Sequence, residues 1–341
     1  MYNIVIIGLG IVGTGLAEIL HNKRGALKKR YGFEYTVLGV CDLIKGSIYD
    51  ENGLDLGEVL KLNKEGGKIQ DYPCTEKGLD SVAMITKPKT DIVAEVTPTN
   101  VKTGEPGLKH FRAALKYKKH VVSTNKGPIA LKYKELNQLA EANNVYLGFE
   151  GTVISGTPAI NLGTRDLAGC DIKSVRGILN GTTNYILTNM EEGRSYQEVL
   201  KEAQAKGYAE TDPTADVEGY DPLAKIVILA NAVMGGDVNI NNVYREGITG
   251  ITLEDIEKAK KEGKRIKLIG KAWRENGKVK AQVKPETLPV TDPLANVAGV
   301  LNAITFETDV TGDVTVIGPG AGAYTAGYAM LTDMLEIHRR F

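Results

Sequence analysis

The 341 residues carry 42 basic and 42 acidic side chains, so no net field draws the chain to nucleic acid or to an anionic membrane, and a small-molecule partner is expected. At 42% hydrophobic it can bury more than one core, and two domains are expected. Cys41, Cys74 and Cys170 are odd in number and far apart, which speaks against a disulfide framework or a thiolate metal cluster and places the chain in the reducing cytoplasm.

The first apolar run, YNIVIIG, is too short to span a bilayer and has no basic leader, so neither export nor insertion is expected. It reads instead as a strand over Ile4–Ile7, a turn at Gly8, and a helix with apolar spacing through Ile11, Leu16, Ile19 and Leu20. Gly8, Gly10 and Gly13 form G-x-G-x-x-G between them: the first for the tight turn, the second for approach of a pyrophosphate, the third for close helix packing. The amides at the helix start, Ile11 and Val12 among them, would face the phosphates. The next strand, EYTVLGVCD, ends at Asp42, an acid placed to take ribose hydroxyls, while Lys45 nearby keeps a 2'-phosphate open, so NAD and NADP both stand.

Further strands are expected at Asp91–Val96, His120–Thr124 and Val145–Glu150, with helices near Gly107–Tyr117 and Lys132–Asn143. This alternation predicts an α/β fold, a Rossmann-type doubly wound parallel sheet over residues 1–150. Ligands of such sheets sit at the carboxyl ends of the strands. Two loops there draw notice: TPTNVKTGEPG, where Thr97 and Thr99 either touch a nicotinamide or simply start the next helix, and STNKGPIA, where Lys126 follows a strand end.

From Gly151 the alternation stops, and GTVISGTP reads as a glycine-rich connection, so a second, α+β domain for substrate binding and dimerisation is expected over 151–305. DIKSVRGILN reads as a strand, and GTTNYILTNMEEG as a helix starting near Thr182 with amides able to hold a carboxylate. YQEVLKEAQAKG is an amphipathic helix. GYDPLAKIVILANAVMGG is a buried one, with Asp221 expected at its N-cap, Pro222 at its first position and Lys225 in its first turn. Helix dipole and burial disfavour an ammonium there while neighbouring carboxylates favour it, a balance suited to proton transfer.

Ahead of Lys225, GYAETDPTADVEGYDPLAK gathers Glu210, Asp212, Asp216, Glu218 and Asp221. Asp212 and Glu218 sit in turn dipeptides and read as turn-formers or exposed charges. An EF-hand fails at its glycine and its terminal glutamate. Three readings stand for the run as a whole: a solvated acidic loop, a metal site, or a pocket for a small cationic substrate with a lysine aimed at it.

GLGIVGTGL, TPTNVKTGEPG, STNKGPIA, GILNGTTNYIL, the acidic run and the late GPGAGAYTAGYAML occur in an order that resembles the homoserine dehydrogenases, over nearly the whole chain. The resemblance implies NAD(P)-dependent interconversion of L-homoserine and L-aspartate 4-semialdehyde by a homodimer; unlike some members, this chain is expected to carry neither a kinase nor a regulatory domain. It also implies that residues 306–341 return to the cofactor domain, with Gly322 among the cofactor contacts. It makes Lys225 the catalytic lysine, Asp221 the acid beside it and Lys126 a second active-site lysine. Glu210 and Asp216 become substrate-binding acids, and Gly181 and Thr182 substrate contacts. In FEGTVISGTP it implies a sodium-type site on Glu150, Val153, Ser155 and Thr157, largely through carbonyls. Thr211 departs from the family's usual proline before Asp212. An aldehyde-oxidising relative would need a cysteine nucleophile with a nearby base, but Cys170 has no histidine near it in sequence; His21, His110, His120 and His338 lie outside the motifs. A nucleotide sensor without chemistry would have no use for Lys126, Asp221 and Lys225 together.

Overall fold

The computed structural model describes residues 1–66 and 68–341. Its contacts divide the chain into two units, Met1–Gly156 with Gly322–Phe341, and Thr157–Ala321.

In the first unit, β1 (Tyr2–Ile7) leads into α1 (Ile11–Tyr31), followed by β2 (Tyr35–Asp42), β3 (Gly46–Tyr49), α2 (Leu56–Lys64), β4 (Glu76–Lys77) and α3 (Ser81–Ile85). Then come β5 (Ile92–Glu95), α4 (Gly107–Lys116), β6 (His120–Ser123), α5 (Lys126–Ala142), β7 (Leu147–Gly148) and α6 (Gly151–Ile154). The sheet runs β4-β3-β2-β1-β5-β6-β7, parallel from β2 to β7, and the strand order reverses at β1, the switch point where such sheets bind ligands. Two findings differ from the expected all-parallel sheet and helix bounds. β3 and β4 pair antiparallel at one edge, since the short turn after β2 allows a hairpin but no crossover helix. α5 starts at Lys126 rather than Lys132, because the Asn125 side chain accepts the Gly127 amide and so opens the helix earlier; Lys132 marks a kink within it.

In the second unit, β8 (Ile172–Ile178) turns into α7 (Gly181–Met190), followed by α8 (Tyr196–Ala205), α9 (Thr214–Val217) and α10 (Tyr220–Ala232). β9 (Tyr244–Arg245), α11 (Leu253–Lys261), β10 (Lys264–Glu275), β11 (Lys278–Pro289), β12 (Leu301–Thr308) and β13 (Asp313–Pro319) complete it. The sheet order is β13-β12-β8-β10-β11-β9, antiparallel except at β9. α10 is buried from Pro222 to Ala230 and lies against β10, where Gly270 gives room: a Cβ there would stand 3.3 Å from the Ile226 Cβ.

The last helix, α12 (Ala323–Arg340), belongs to the first unit. Met330, Leu331, Met334 and Ile337 join the core formed by β1, α1 and β2. Glycines let the two helices touch: a Cβ at Gly15 would lie 2.5 Å from the Ala323 carbonyl oxygen, and one at Gly327 2.8 Å from the Leu16 nitrogen. α12 also explains where the units divide. Gly151 and Gly156 both abut it, so the first unit extends past residue 150 and includes a short helix where only a connection was expected. Residues 306–319 do not return, because β12 and β13 pair in the second sheet; the return starts at Gly322. Among the described residues no helix is long and apolar enough to cross a membrane.

Candidate active site

The glycine turn of the first unit is built by backbone. Gly8 has φ 104°, open to glycine, and donates its amide to the Cys41 carbonyl at 2.7 Å. A Cβ on Gly13 would sit 2.1 Å from the Gly8 oxygen, so the helix start lies hard against the turn. Gly10 is the opposite case: its Cβ would meet nothing within 4 Å. Gly10 is also the N-cap of α1 and supplies no side-chain cap, which leaves the first amides, Ile11 and Val12, to a ligand or to water. A 21-residue helix with an uncapped start beside open space fits a pyrophosphate.

Asp42, at the end of β2, accepts the Leu9 amide at 2.8 Å and those of Ile44 and Lys45 at 3.0 Å. Burial pushes its carboxyl up, but the amides of Lys45, Leu9 and Ile44 and the Lys45 charge outweigh that and hold it below the ordinary carboxylate value. Lys45 turns its ammonium to the Leu9 carbonyl at 2.5 Å, while Leu43 and Ile44 are exposed.

At the carboxyl ends of β5 and β6, the fully buried Glu95 organises the loops that carry Thr97, Thr99 and Lys126. Its carboxylate accepts the Thr97 hydroxyl, the Asn125 amide at 3.2 Å, and meets His110 Nδ1 at 3.1 Å; Ser81 Oγ lies 2.7 Å from the other ring nitrogen. Sequence reasoning passed over Glu95 and Asn125, since nothing in a strand-end glutamate tells that two later loops close on it. Thr97 serves this brace, Thr99 is exposed, and Lys126 is the first residue of α5, half-buried at the end of β6. Gly322, at φ 133° in a region open to glycine alone, precedes α12.

In the second unit three elements meet at the turn between β8 and α7. Lys225, 6% exposed, donates to the Leu179 carbonyl at 2.6 Å and to Asp221 Oδ2 at 2.7 Å. Asn180 caps α7 by accepting the Thr183 amide at 2.9 Å, and its amide group donates to Asp216 at 2.7 Å and to Asp221 at 2.9 Å. Burial raises the Asp216 carboxyl, as does the Asp221 charge; Asn180, Thr182 and Lys225 oppose them without cancelling the rise. Gly181 and Thr182 are the first two residues of α7, and the Thr182 hydroxyl also reaches the Tyr208 carbonyl at 2.6 Å. Lys225, Asp221, Asp216, Gly181 and Thr182 are therefore gathered at one place. Asn180 was missed, although an asparagine just ahead of an apolar helix is a cap signal.

Two placements correct the sequence reading. Asp221 is not the N-cap of α10: Gly219, at φ 80°, takes that position, because α9 is capped at Glu218 and the chain must turn at the next residue. Asp221 thus lies inside the first turn, its carboxylate turned to Asn180 and Lys225, and Lys225 falls in the second turn. Glu210 is exposed, and among the described residues its carboxylate takes no part in this network; its carbonyl accepts from Gln204 at 3.1 Å. Asp212 accepts the Thr214 amide and Glu218 pairs with Arg245, both as turn and surface groups.

Of the cation residues, Glu150 is 3% exposed with its amide on Asp333, Val153 lies within α6, and Ser155 ends α6 at φ 54° with its hydroxyl on Thr325. Thr157 opens the second unit and donates to the Pro319 carbonyl. Among the described residues no cluster of three His, Cys, Asp or Glu could hold a metal.

Residues 8–150 match the family model described as homoserine dehydrogenase, NAD binding domain, and residues 158–335 the model described as homoserine dehydrogenase. The chain is 43% identical to an NAD(+)-dependent homoserine dehydrogenase of Pseudomonas canavaninivorans, across 99% of this chain and 96% of that one. It is 45% identical to a homoserine dehydrogenase of Methanocaldococcus jannaschii, across 98% of each. The solved structure of a hyperthermophilic archaeal homoserine dehydrogenase mutant in complex with NADPH superposes with a TM-score of 0.86 at 30% identity, covering 100% of this chain and 98% of that one. Whole-length identity and both matched domains lead to one conclusion: the chain belongs to the homoserine dehydrogenase family and is an NAD(P)-dependent oxidoreductase of L-homoserine and L-aspartate 4-semialdehyde.

Proposed function

We propose that the second unit holds the amino acid at the start of α7 and that Lys225 moves the proton of its reacting oxygen. The observation that carries this reading is the Lys225 ammonium, buried and held at 2.7 Å by Asp221 beside the α7 start. The substrate's carboxylate suits the amides of Gly181 and Thr182, and its ammonium suits Asp216, with Glu210 as a second acid closing from the exposed loop. Bound NAD(P) supplies or takes the hydride. In the reducing direction Lys225 gives a proton to the oxygen on which charge develops, Asp221 orients it, and Lys126 adds positive potential.

Gly8, Gly10, Ile11, Val12 and Gly13 would hold the pyrophosphate, Asp42 the ribose, and Thr97, Thr99, Lys126 and Gly322 the nicotinamide side. NAD is the preferred form in this reading: an ionised Asp42 repels a 2'-phosphate, and the Lys45 ammonium is turned to a carbonyl. Parallel rates with NAD and NADP check it, and equal kcat/KM for both would remove it. Glu150, Val153, Ser155 and Thr157 offer only oxygen donors, the set a hard cation such as sodium takes, as a brace and not a participant. A homodimer formed through the second unit and a cytoplasmic setting complete the reading; light scattering of the purified chain tests the first.

Lys225→Ala tests the core of it. The rate through kcat should fall about 10²- to 10⁴-fold with cofactor binding kept. Lys225→Arg should not rescue it, since a guanidinium keeps its proton near neutral pH. An arginine variant with near-wild-type kcat would show that charge alone suffices at 225 and would leave Lys126 as the proton donor.

A further inference from the structure

Asn180 makes more bonds than a helix cap needs. Its carbonyl oxygen accepts the Thr183 amide at 2.9 Å and the Thr183 hydroxyl at 3.0 Å. Its two N–H groups divide between two acids, Asp216 Oδ1 at 2.7 Å and Asp221 Oδ2 at 2.9 Å. The orientation of the amide is dictated by chemistry: flipped, it would set an oxygen against two carboxylates and a nitrogen against an amide donor. At 5% exposure the side chain has little water to replace any of these bonds. The neighbouring Leu179 carbonyl takes the Lys225 ammonium at 2.6 Å, so consecutive residues of one turn receive the lysine and both acids.

We infer that Asn180 is a positioning residue for the reaction: its amide bridges Asp216 and Asp221, keeping Asp221 on Lys225 and Asp216 beside the α7 start. This inference rests on the role given to Lys225 above. Without the bridge the two acids lose the amide they share, and neighbouring like charges draw in a proton. The charges acting on Asp216 are Asp221 and Lys225, both on α10, while Asn180 and Thr182 on the facing turn are uncharged. The proton goes first to Asp216, whose carboxyl burial and the Asp221 charge already raise, and without the Asn180 amide Asp221 is held less firmly on Lys225, so the loss should appear in kcat and in the acid limb of the pH profile.

The cap and the bridge are separable, because serine caps a helix as well as asparagine but cannot donate to two carboxylates. Asn180→Ser keeps the cap but leaves two carboxylates short of a donor, so it should melt moderately below wild type and still bind NADH normally. Its kcat per NADH-binding site should fall about 10- to 100-fold, with the acid limb moved to higher pH by about one unit. Asn180→Asp, also a good cap, puts a third carboxylate in the cluster and should lose more. Wild-type kcat and pH profile in Asn180→Ser would overturn the inference, as would variants that lose only melting temperature while each folded site turns over normally. Lys225→Ala, measured alongside, keeps the two ideas apart: full activity there sinks the lysine's role, whereas an inactive Lys225→Ala beside a normal Asn180→Ser sinks only the bridge.

Discussion

The two units build their sites from different material. In the first, the work falls to backbone: a left-handed glycine, an uncapped helix start and a carboxylate held by three amides. In the second, it falls to side chains brought from α7, α9 and α10 onto one turn. A site of backbone is damaged by adding atoms, and a site of side chains by changing them. The units should therefore fail differently under substitution.

The largest expected effect is in the first unit. Gly13→Ala places a methyl 2.1 Å from a backbone oxygen that cannot yield, and should cost roughly 3 kcal/mol or more, with cofactor binding lost as the turn opens. Gly10→Ala is its control: the methyl enters open space, so stability should change by less than about 1 kcal/mol while NADH affinity drops about tenfold or more. Thermal melts and NADH fluorescence distinguish them. Equal melting losses in both would erase the contrast between a packing glycine and a ligand-facing one.

A second effect marks the second unit. Lys267, 1% exposed, donates to Asn184 and to the Val297 carbonyl, and burial lowers its ammonium to about 8, with Glu191 opposing. Between pH 8 and 10.5 the unfolded chain binds a proton that the native state does not, so stability attributable to this group rises with pH across that window. The full span is about 3 kcal/mol. Urea melts of wild type and Lys267→Met at pH 7.5 and 10 should show wild type gaining on the variant. A constant difference between them would mean that the native lysine keeps its proton across this range.

The smallest effect concerns the exposed acid. Glu210→Gln should raise the KM for homoserine about tenfold with little change for cofactor. An unchanged KM would leave the ammonium to Asp216 and Asp221, and would place all the substrate chemistry on the buried cluster.

This difference in material also decides what could be read from sequence. The roles of Gly8, Gly10 and Gly13 are local and backbone-set, so three letters at fixed spacing carry them. The acidic run showed that acids collect before Lys225, but not that Asp216 and Asp221 share one amide from a residue far upstream in the chain. Asp221 was misplaced at the N-cap because Asp-Pro is a strong start signal; Gly219 overrode it by being able to take φ 80°. Glu95 was invisible for the same reason as Asn180: its partners, Asn125 and His110, come from other elements.

The glycine contact between α1 and α12 has a consequence for the order in which the protein is made. Residues 1–156 leave the ribosome before residues 322–341 exist, so the nascent nucleotide-binding half must wait with the Gly15 face of α1 uncovered. At ordinary synthesis rates that wait is on the order of ten seconds or more. The inserted half, Thr157–Ala321, is continuous in the chain and can close its own sheet in the meantime. The part of the molecule that is begun first is thus completed last, and ribosome stalling before Gly327 would leave a folded substrate half tethered to an unfinished cofactor half.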